Sequence, residues 1–199
     1  MSDSSFESEK MSEESIEDDT ETKNQTDKVN NNKKTREEKE QKISNINLIN
    51  SISNSLIIIL EDNKKLDNYK EIIKRQSKMI FSSTSIPNIS INDYLVRIQT
   101  YSEIERASLI SALILIDKTC KKSGLVLTYY NIHRLLFGAI LISIKYNEDI
   151  YYDNKYYSDI AGVKLKELQS IEYAFLELNN FNVYINYNEF ELYQKVLED

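Results

Sequence analysis

The sequence predicts an all-α fold. Only three glycines and one proline occur among 199 residues, so long helices can run without a break and tight hairpin turns are scarce. Apolar residues recur every three or four positions from residue 43 onward, which is the periodicity of one helix face. Two segments, 109–116 and 135–142, are apolar on nearly every side, as is typical of helices in the middle of a bundle. We therefore expect a compact helical bundle built around a central hairpin of two helices.

The first 40 residues differ in composition from the rest of the chain. Residues 1–40 carry 13 acidic and 7 basic side chains, which is −6 of the total net charge of −7. A polar segment of this kind cannot offset its own ordering entropy, so we predict a disordered acidic tail over 1–40. The remaining chain is nearly neutral and lacks the basic field that nucleic-acid binding usually requires. We expect no nucleic-acid partner.

Helix signals follow the tail in order. The segment 43–62 is amphipathic, a weaker helical pattern covers 66–80, and Pro87 marks a boundary because the residue before proline leaves the α region. Ser90 and Asp93 have the spacing of a capping box and predict a short helix. The predicted helices cover 43–62, 66–80, 90–100, 103–121, 129–147, 154–162, 164–179 and 187–198.

The later helices have their own start and stop signals. Ser102 and Glu105 have the standard capping-box spacing for the long fourth helix, and Gly124 supplies a left-handed residue that ends it. Thr128 is expected to open the central helix. A short helix capped by Asp153 or Asn154 then ends at Gly162. The final segment is expected to pack back through Phe190, Tyr193 and Leu197.

The residues that could carry chemistry do not form a recognisable site. Cys120 is the only cysteine, which excludes an internal disulfide and a Cys-rich zinc site and predicts an inert reduced thiol. His133 is the only histidine, and we interpret it as structural. Glu148 and Asp149 are adjacent and would point about 100° apart on a helix, which makes a poor metal site. No phosphate loop, nucleophile elbow or kinase signature occurs. We expect no catalytic residue, metal, cofactor or small-molecule ligand.

Five tyrosines surround the turn after the central helix. Tyrosine is enriched at interface hot spots because it combines apolar area with a polar tip. The same rings could instead hold the short helix against the bundle, and the sequence leaves both interpretations open. The five are Tyr146, Tyr151, Tyr152, Tyr156 and Tyr157.

Four segments together resemble a known family. They are SIPNISINDYLVRI (85–98), HRLL (133–136), SIKYNED (143–149) and YYDNKYYSDIAGVKLKELQSIE (151–172). In this order and spacing they resemble the P-type cyclins, the branch that includes the yeast phosphate-pathway cyclins and the plant U-type cyclins. The resemblance covers roughly residues 43–195. It implies one five-helix cyclin box near 90–180, with flanking helices over 41–84 and the box and a C-terminal helix over 85–199.

The resemblance also implies a partner and a binding surface. Such proteins bind and activate a cyclin-dependent protein kinase by docking on its C helix, and so regulate the cell cycle or signalling. The positions that grip that helix match Lys145 and Glu172. The neighbouring apolar contacts match Ile142, Tyr146, Leu176 and Val183. We accordingly expect a regulator of a Ser/Thr kinase rather than an enzyme.

Other interpretations of the same residues remain open from the sequence alone. Lys145 could simply complement a helix C-terminus, and Glu172 could be an ordinary exposed residue. The fold could serve a scaffold or adaptor that activates no kinase. A DNA-binding factor is opposed by the neutral body, and an enzyme has little support beyond His133. The acidic, Ser-rich N-terminus and the short apolar runs, about half of the roughly 20 residues that span a bilayer, predict a protein of the cytoplasm or nucleus without a membrane partner.

Overall fold

Eight helices and no strands make up the regular structure of residues 43–198, which are the residues that the computed structural model of this protein describes. In chain order they are α1 Ile43–Lys64, α2 Tyr69–Gln76, α3 Ile91–Ser102, α4 Arg106–Ser123, α5 Ile132–Asn147, α6 Asn154–Ala161, α7 Leu165–Leu178 and α8 Tyr187–Glu198. From Asn45 onward the chain forms one compact unit. The predicted all-α class is confirmed, and five helices, α3 to α7, occupy the region predicted for the box. The tail predicted over 1–40 lies outside the described residues.

The central hairpin is the pair α4 and α5. All residues of 109–116 and 135–142 are buried, as their uninterrupted apolar sequence predicts. α4 packs on α5, α7 and α8, while α5 packs on α4, α6 and α7. Full burial of each leucine or isoleucine contributes about 1.5–3 kcal/mol, so this pair supplies much of the stabilisation of the fold.

A glycine allows α5 and α7 to approach each other closely. A Cβ atom at Gly138 would lie 3.0 Å from Cγ2 of Ile171 and 3.5 Å from Cδ2 of Phe175. Ile171 and Phe175 are fully buried on α7. The absence of a side chain at Gly138 therefore permits the close approach of the two helices that carry Lys145 and Glu172.

The start of α4 differs from the prediction. Ser102 is the last residue of α3, and its hydroxyl donates to the carbonyl of Ile98 at 2.8 Å. Glu103 has a left-handed backbone with φ of 53°, which ends α3. α4 then begins at Arg106, and its N-cap residue Glu105 makes no side-chain capping bond. The capping box predicted from Ser102 and Glu105 is wrong because the serine hydroxyl is used to close the preceding helix.

The start of α5 is also three residues later than predicted. Asn131, not Thr128, is the N-cap residue of α5. The side chain of Asn131 is buried, accepts from the backbone N–H of Thr128 at 2.8 Å and donates to the carbonyl of Val126 at 2.9 Å. The segment before α5 is therefore a loop held by this asparagine rather than a first helical turn.

Most of the remaining helix ends agree with the sequence signals. The hydroxyl of Ser90 accepts from the backbone N–H of Asp93 at 3.0 Å. Gly124 and Gly162 end their helices with φ of 66° and 72°. Of the two candidate caps of α6, Asp153 makes the bond, since its carboxylate accepts from the backbone N–H of Tyr156.

The helix with the weakest sequence pattern differs most in length from its prediction. The pattern over 66–80 yields only α2, which ends at Gln76. The buried side-chain amide of Gln76 donates to the carbonyl and accepts from the N–H of Val126, each at 2.9 Å, while the backbone carbonyl of Gln76 accepts from the hydroxyl of Ser82. These contacts hold the chain in a turn where the sequence pattern favoured a longer helix.

The two outer helices cover the central pair. α8 lies against α4, with Leu197 buried, Phe190 and Tyr193 half-buried, and the Tyr193 hydroxyl 2.6 Å from Asp117 Oδ2. This agrees with the prediction that the final segment packs back. Five apolar residues of α1 join the same core, namely Leu48, Ile49, Ile52, Leu56 and Leu60.

In the part of the chain that the structure describes, α1 is the one helix with the length and apolar composition to cross a bilayer. Length and composition alone do not assign a membrane span, because a core helix of a soluble protein meets the same criterion. Within the window that meets it, 33% of the residues are buried. The helix contributes its buried face to the core described above.

A larger side chain at Gly138 would separate α5 from α7. We expect Gly138→Val to lower the free energy of unfolding by about 1–3 kcal/mol, the usual cost of overpacking a close contact. Urea denaturation would measure it. Ser170→Val on the exposed face of α7 is the matched control and should change stability by less than about 0.5 kcal/mol. Equal stability of both variants would show that the two helices are not held at contact distance here.

Candidate protein-binding site

Two of the predicted site residues meet between α5 and α7. Lys145 lies in the last turn of α5, and its ammonium Nζ is 2.6 Å from Oε1 of Glu172 on α7. The two side chains are only 26% and 17% exposed. A pair in this half-buried position is screened less by solvent than a surface pair. The fold therefore brings together the lysine and the glutamate that the family resemblance implies as site residues.

A third residue completes the cluster. The side-chain amide of Asn154, the first residue of α6, donates to Oε2 of Glu172 at 3.0 Å. Each oxygen of the Glu172 carboxylate thus accepts from a different helix. The sequence indicates Asn154 only as a possible cap of α6. No signal in the sequence could have found this contact, because it depends on how α6 packs on α7.

The predicted apolar contacts differ in how much surface they offer. Tyr146 is 58% exposed, whereas Ile142, one turn earlier on α5, is only 5% exposed. Leu176 and Val183 are half-buried at the edge of the core. Val183 follows the end of α7. Of these four residues, Tyr146 presents the freest side chain to a partner.

The end of α7 exposes an aromatic pair that the sequence pattern did not reveal. Asn180 and Phe181 both have left-handed backbones, with φ of 53° and 57°, and the N–H of Phe181 donates to the carbonyl of Leu176 at 2.8 Å. This turn directs the Phe181 ring against Tyr173, with ring centroids 6.0 Å apart. Both rings are mostly exposed. Phe181 follows the helix, so helical periodicity gives no indication of its position.

The tyrosines after α5 divide between the two interpretations. Tyr157 is buried, and the Tyr156 hydroxyl donates to the carbonyl of Tyr101 on α3 at 2.7 Å. These two rings hold α6 against the bundle. Tyr146, Tyr151 and Tyr152 are exposed and remain available to a partner, although the Tyr152 ring also lies against that of Tyr156.

The carboxylates after α5 do not form a metal site. Glu148 Oε1 accepts from the backbone N–H of Glu105 at 3.1 Å, and Asp149 is exposed. Among residues 43–198, no group of three or more potential ligand side chains is arranged to hold a metal ion. The pair belongs to the turn that joins α5 to α6.

The two potentially reactive side chains have structural positions. Burial raises the pKa of the Cys120 thiol to about 12, and the negative charge of Asp117 adds to the effect, so the thiol is neutral at pH 7. His133 is buried against Tyr94, and its Nε2 is 3.0 Å from the carbonyl of Ile89. Its Nδ1 has no hydrogen-bond partner among the described residues. Among residues 43–198, neither side chain is hydrogen-bonded to another titratable side chain, as a nucleophile or general base is to the group that activates it.

The cyclin family model matches residues 9–183. The chain belongs to the cyclin family. The matched segment contains all five helices from α3 to α7 together with Lys145, Asn154 and Glu172. Cyclins as a family are regulatory subunits rather than enzymes, which agrees with the expectation from the sequence.

Individual relatives place this cyclin near the branch predicted from its motifs. It is 34% identical to Cyclin-U2-1 of Arabidopsis thaliana over 115 residues, 57% of this chain and 52% of that protein. It is 31% identical to Cyclin-U1-1 of the same plant over 145 residues, 69% of each chain. PHO85 cyclin-7 of Saccharomyces cerevisiae is 30% identical over 131 residues, 60% of this chain and 46% of that protein. The resemblance to P-type cyclins is confirmed, although this chain spans only about half of the first and third of these relatives.

The burial of His133 makes stability depend on pH. Desolvation lowers its pKa below the ordinary value of 6.5, although the bond to Ile89 opposes this effect. The unfolded chain therefore takes up a proton before the folded protein does, and the contribution of this residue to stability is lost as the pH falls through 6.5. We expect His133→Gln to lose less free energy of unfolding than the wild type between about pH 7.5 and about pH 5. Urea denaturation at both pH values tests this, and identical losses would contradict the assignment.

Proposed function

We propose that this cyclin is a regulatory subunit that binds and activates a cyclin-dependent protein kinase. The observation that carries the proposal is the half-buried pair of Lys145 and Glu172 beside the exposed ring of Tyr146. The family resemblance implies that the residues at these positions contact the C helix of the kinase. The match to the cyclin family and to proteins named PHO85 cyclins supports the same partner class.

Apolar contacts would supply most of the binding energy at this face. Tyr146 offers a large exposed ring, and Leu176 and Val183 offer partly exposed side chains on the neighbouring helix end. Large aromatic residues dominate binding at interface hot spots. A buried ion pair roughly offsets its own desolvation, so Lys145 and Glu172 would determine orientation and partner choice more than affinity.

Activation would follow from binding one conformation of the kinase better than another. A kinase is active only when the glutamate of its C helix pairs with the lysine that positions ATP. A partner that binds the C helix only in the inward position shifts the population toward the active state by its differential affinity. The chemistry then belongs to the kinase, and this chain needs no catalytic residue, metal or cofactor.

The cellular setting belongs to the same proposal. A kinase regulator of this kind would act in the cytoplasm, the nucleus or both, and would control phosphorylation in the cell cycle or in signalling. The proposal includes no nucleic-acid, membrane or small-molecule partner.

A second candidate function is a scaffold that binds a kinase without activating it. The burial of Ile142 favours this candidate, because it leaves α5 with fewer free anchors than the resemblance implies. With fewer apolar contacts, the chain could bind a kinase without stabilising the inward position of its C helix. Affinity purification that identifies the co-purifying kinase, followed by an assay of that kinase with and without this chain, separates the two candidates.

We expect the double variant Lys145→Ala, Glu172→Ala to weaken kinase binding and activation, with no loss of helix content, because the correct orientation of the partner is no longer favoured. Neither residue belongs to the hydrophobic core, so truncating both side chains leaves the core packing unchanged. The matched control is Glu167→Ala, which removes the other ion pair between α5 and α7, that of Glu167 with Arg134. The control should bind as the wild type does. Wild-type binding and activation by the double variant would exclude this face as the kinase site.

The apolar part of the site gives a separate expectation. Tyr146→Ala should weaken kinase binding by about 30-fold or more, the factor that corresponds to about 2 kcal/mol for a hot-spot residue. Because the ring is mostly exposed, the thermal stability of the free chain should hardly change. Calorimetric titration with the purified kinase measures both the affinity and the stoichiometry. Undiminished affinity would remove Tyr146 from the interface.

A further inference from the structure

We infer that Asn154 is a positioning residue that holds the Glu172 carboxylate, and through it the Lys145 ammonium, in the orientation used for binding. The inference rests on the proposed function, since it concerns how the same face is prepared for its partner. It adds a residue from a third helix, α6, to a site otherwise built from α5 and α7.

The geometry around Glu172 carries this inference. Its Oε1 accepts from Lys145 Nζ at 2.6 Å, and its Oε2 accepts from Asn154 Nδ2 at 3.0 Å. A carboxylate with a single donor can still rotate about its terminal torsion, because that torsion is broad. Donors on both oxygens fix the plane of the group. Because the Lys145 ammonium is hydrogen-bonded to Oε1, fixing the carboxylate also restricts the position of the ammonium.

The backbone beneath Asn154 is itself held in place. The preceding residue, Asp153, caps α6 by accepting from the backbone N–H of Tyr156 at 2.8 Å. Tyr157 in the first turn is buried in the core. Asn154 therefore begins from a defined helical turn, and its own side chain is half-buried. These contacts leave the amide with little freedom to swing away from Glu172.

The residue type matters as much as the position. The asparagine amide donates to a carboxylate without adding a charge. An aspartate at this position would put a second carboxylate where the amide now donates, and like charges at that distance repel. An alanine would leave one oxygen of Glu172 without its donor. The two substitutions should therefore weaken the orientation of Glu172 to different extents.

The consequence for binding is preorganisation. A charged side chain that is already ordered in the free protein loses less conformational entropy when a partner binds. Each rotamer-rich side chain that must be ordered on binding lowers affinity, roughly 2- to 10-fold. Asn154 removes this loss for Glu172 and, indirectly, for Lys145, without itself having to touch the partner.

The first experiment measures binding to the kinase that co-purifies with the wild-type chain. We expect Asn154→Ala to weaken binding roughly 3- to 10-fold and Asn154→Asp to weaken it more. In a Glu172→Ala background, Asn154→Ala should have no further effect, because Asn154 acts through Glu172. The matched control is Lys155→Ala, which breaks only the exposed pair with Asp159 in the same helix and should bind as the wild type does.

Equal weakening by Asn154→Ala in both backgrounds would overturn the inference, since a merely structural role or a direct contact with the kinase would act independently of Glu172. Unchanged binding by both Asn154 variants would overturn it as well. A loss caused by unfolding is recognised by thermal denaturation of the same samples.

The second experiment uses the free chain and needs no kinase. Side-chain NMR relaxation should show that Glu172 and the Lys145 ammonium are more mobile in Asn154→Ala than in the wild type, while the Lys155→Ala control leaves both unchanged. Unchanged mobility would overturn the positioning role even if a kinase binds. If no kinase binds the wild-type chain, the proposed function fails, and the relaxation data still decide whether Asn154 orders Glu172.

Discussion

The close contact between α5 and α7 is the constraint on which the candidate site depends. Gly138 lets the two helices meet at a separation where even a Cβ atom would crowd Ile171, and Ile171 and Phe175 fill the space against it. The same two helices carry Lys145 and Glu172 at the surface. Packing in the core thus sets the distance between two charges that lie 27 residues apart in sequence.

Charge and apolar area have separate roles at this face. The ion pair of Lys145 and Glu172 is half-buried and neutral as a unit, so it adds little net attraction for a partner. The pair instead contributes specificity, because two opposite charges in fixed positions can distinguish one orientation of a bound helix from another. The exposed ring of Tyr146 and the rings of Tyr173 and Phe181 supply apolar area nearer to the solvent. This division suits a protein that recognises another protein by shape and register.

Local sequence signals were reliable where only one interpretation was physically possible. Gly124 and Gly162 end helices because their left-handed backbones suit glycine, and the buried runs of α4 and α5 can only lie inside a bundle. Ser102 failed as a cap because its hydroxyl can close the preceding helix as readily as open the next. Asn131 replaces Thr128 as the N-cap residue of α5 without a side-chain capping bond, because its side chain bonds the backbone of Thr128 and Val126 in the preceding loop.

The sequence by itself determined the all-α class, the order of the helices, and the residues that match the P-type cyclins. Periodicity, glycine positions and motif spacing depend only on the order of residues along the chain. The tertiary structure alone decided that Lys145 and Glu172 meet, that Ile142 is covered while Tyr146 is free, and that Asn154 reaches the second oxygen of Glu172. The reason is physical. These contacts join α5, α6 and α7, and their distances follow from how three helices pack, which no local pattern encodes.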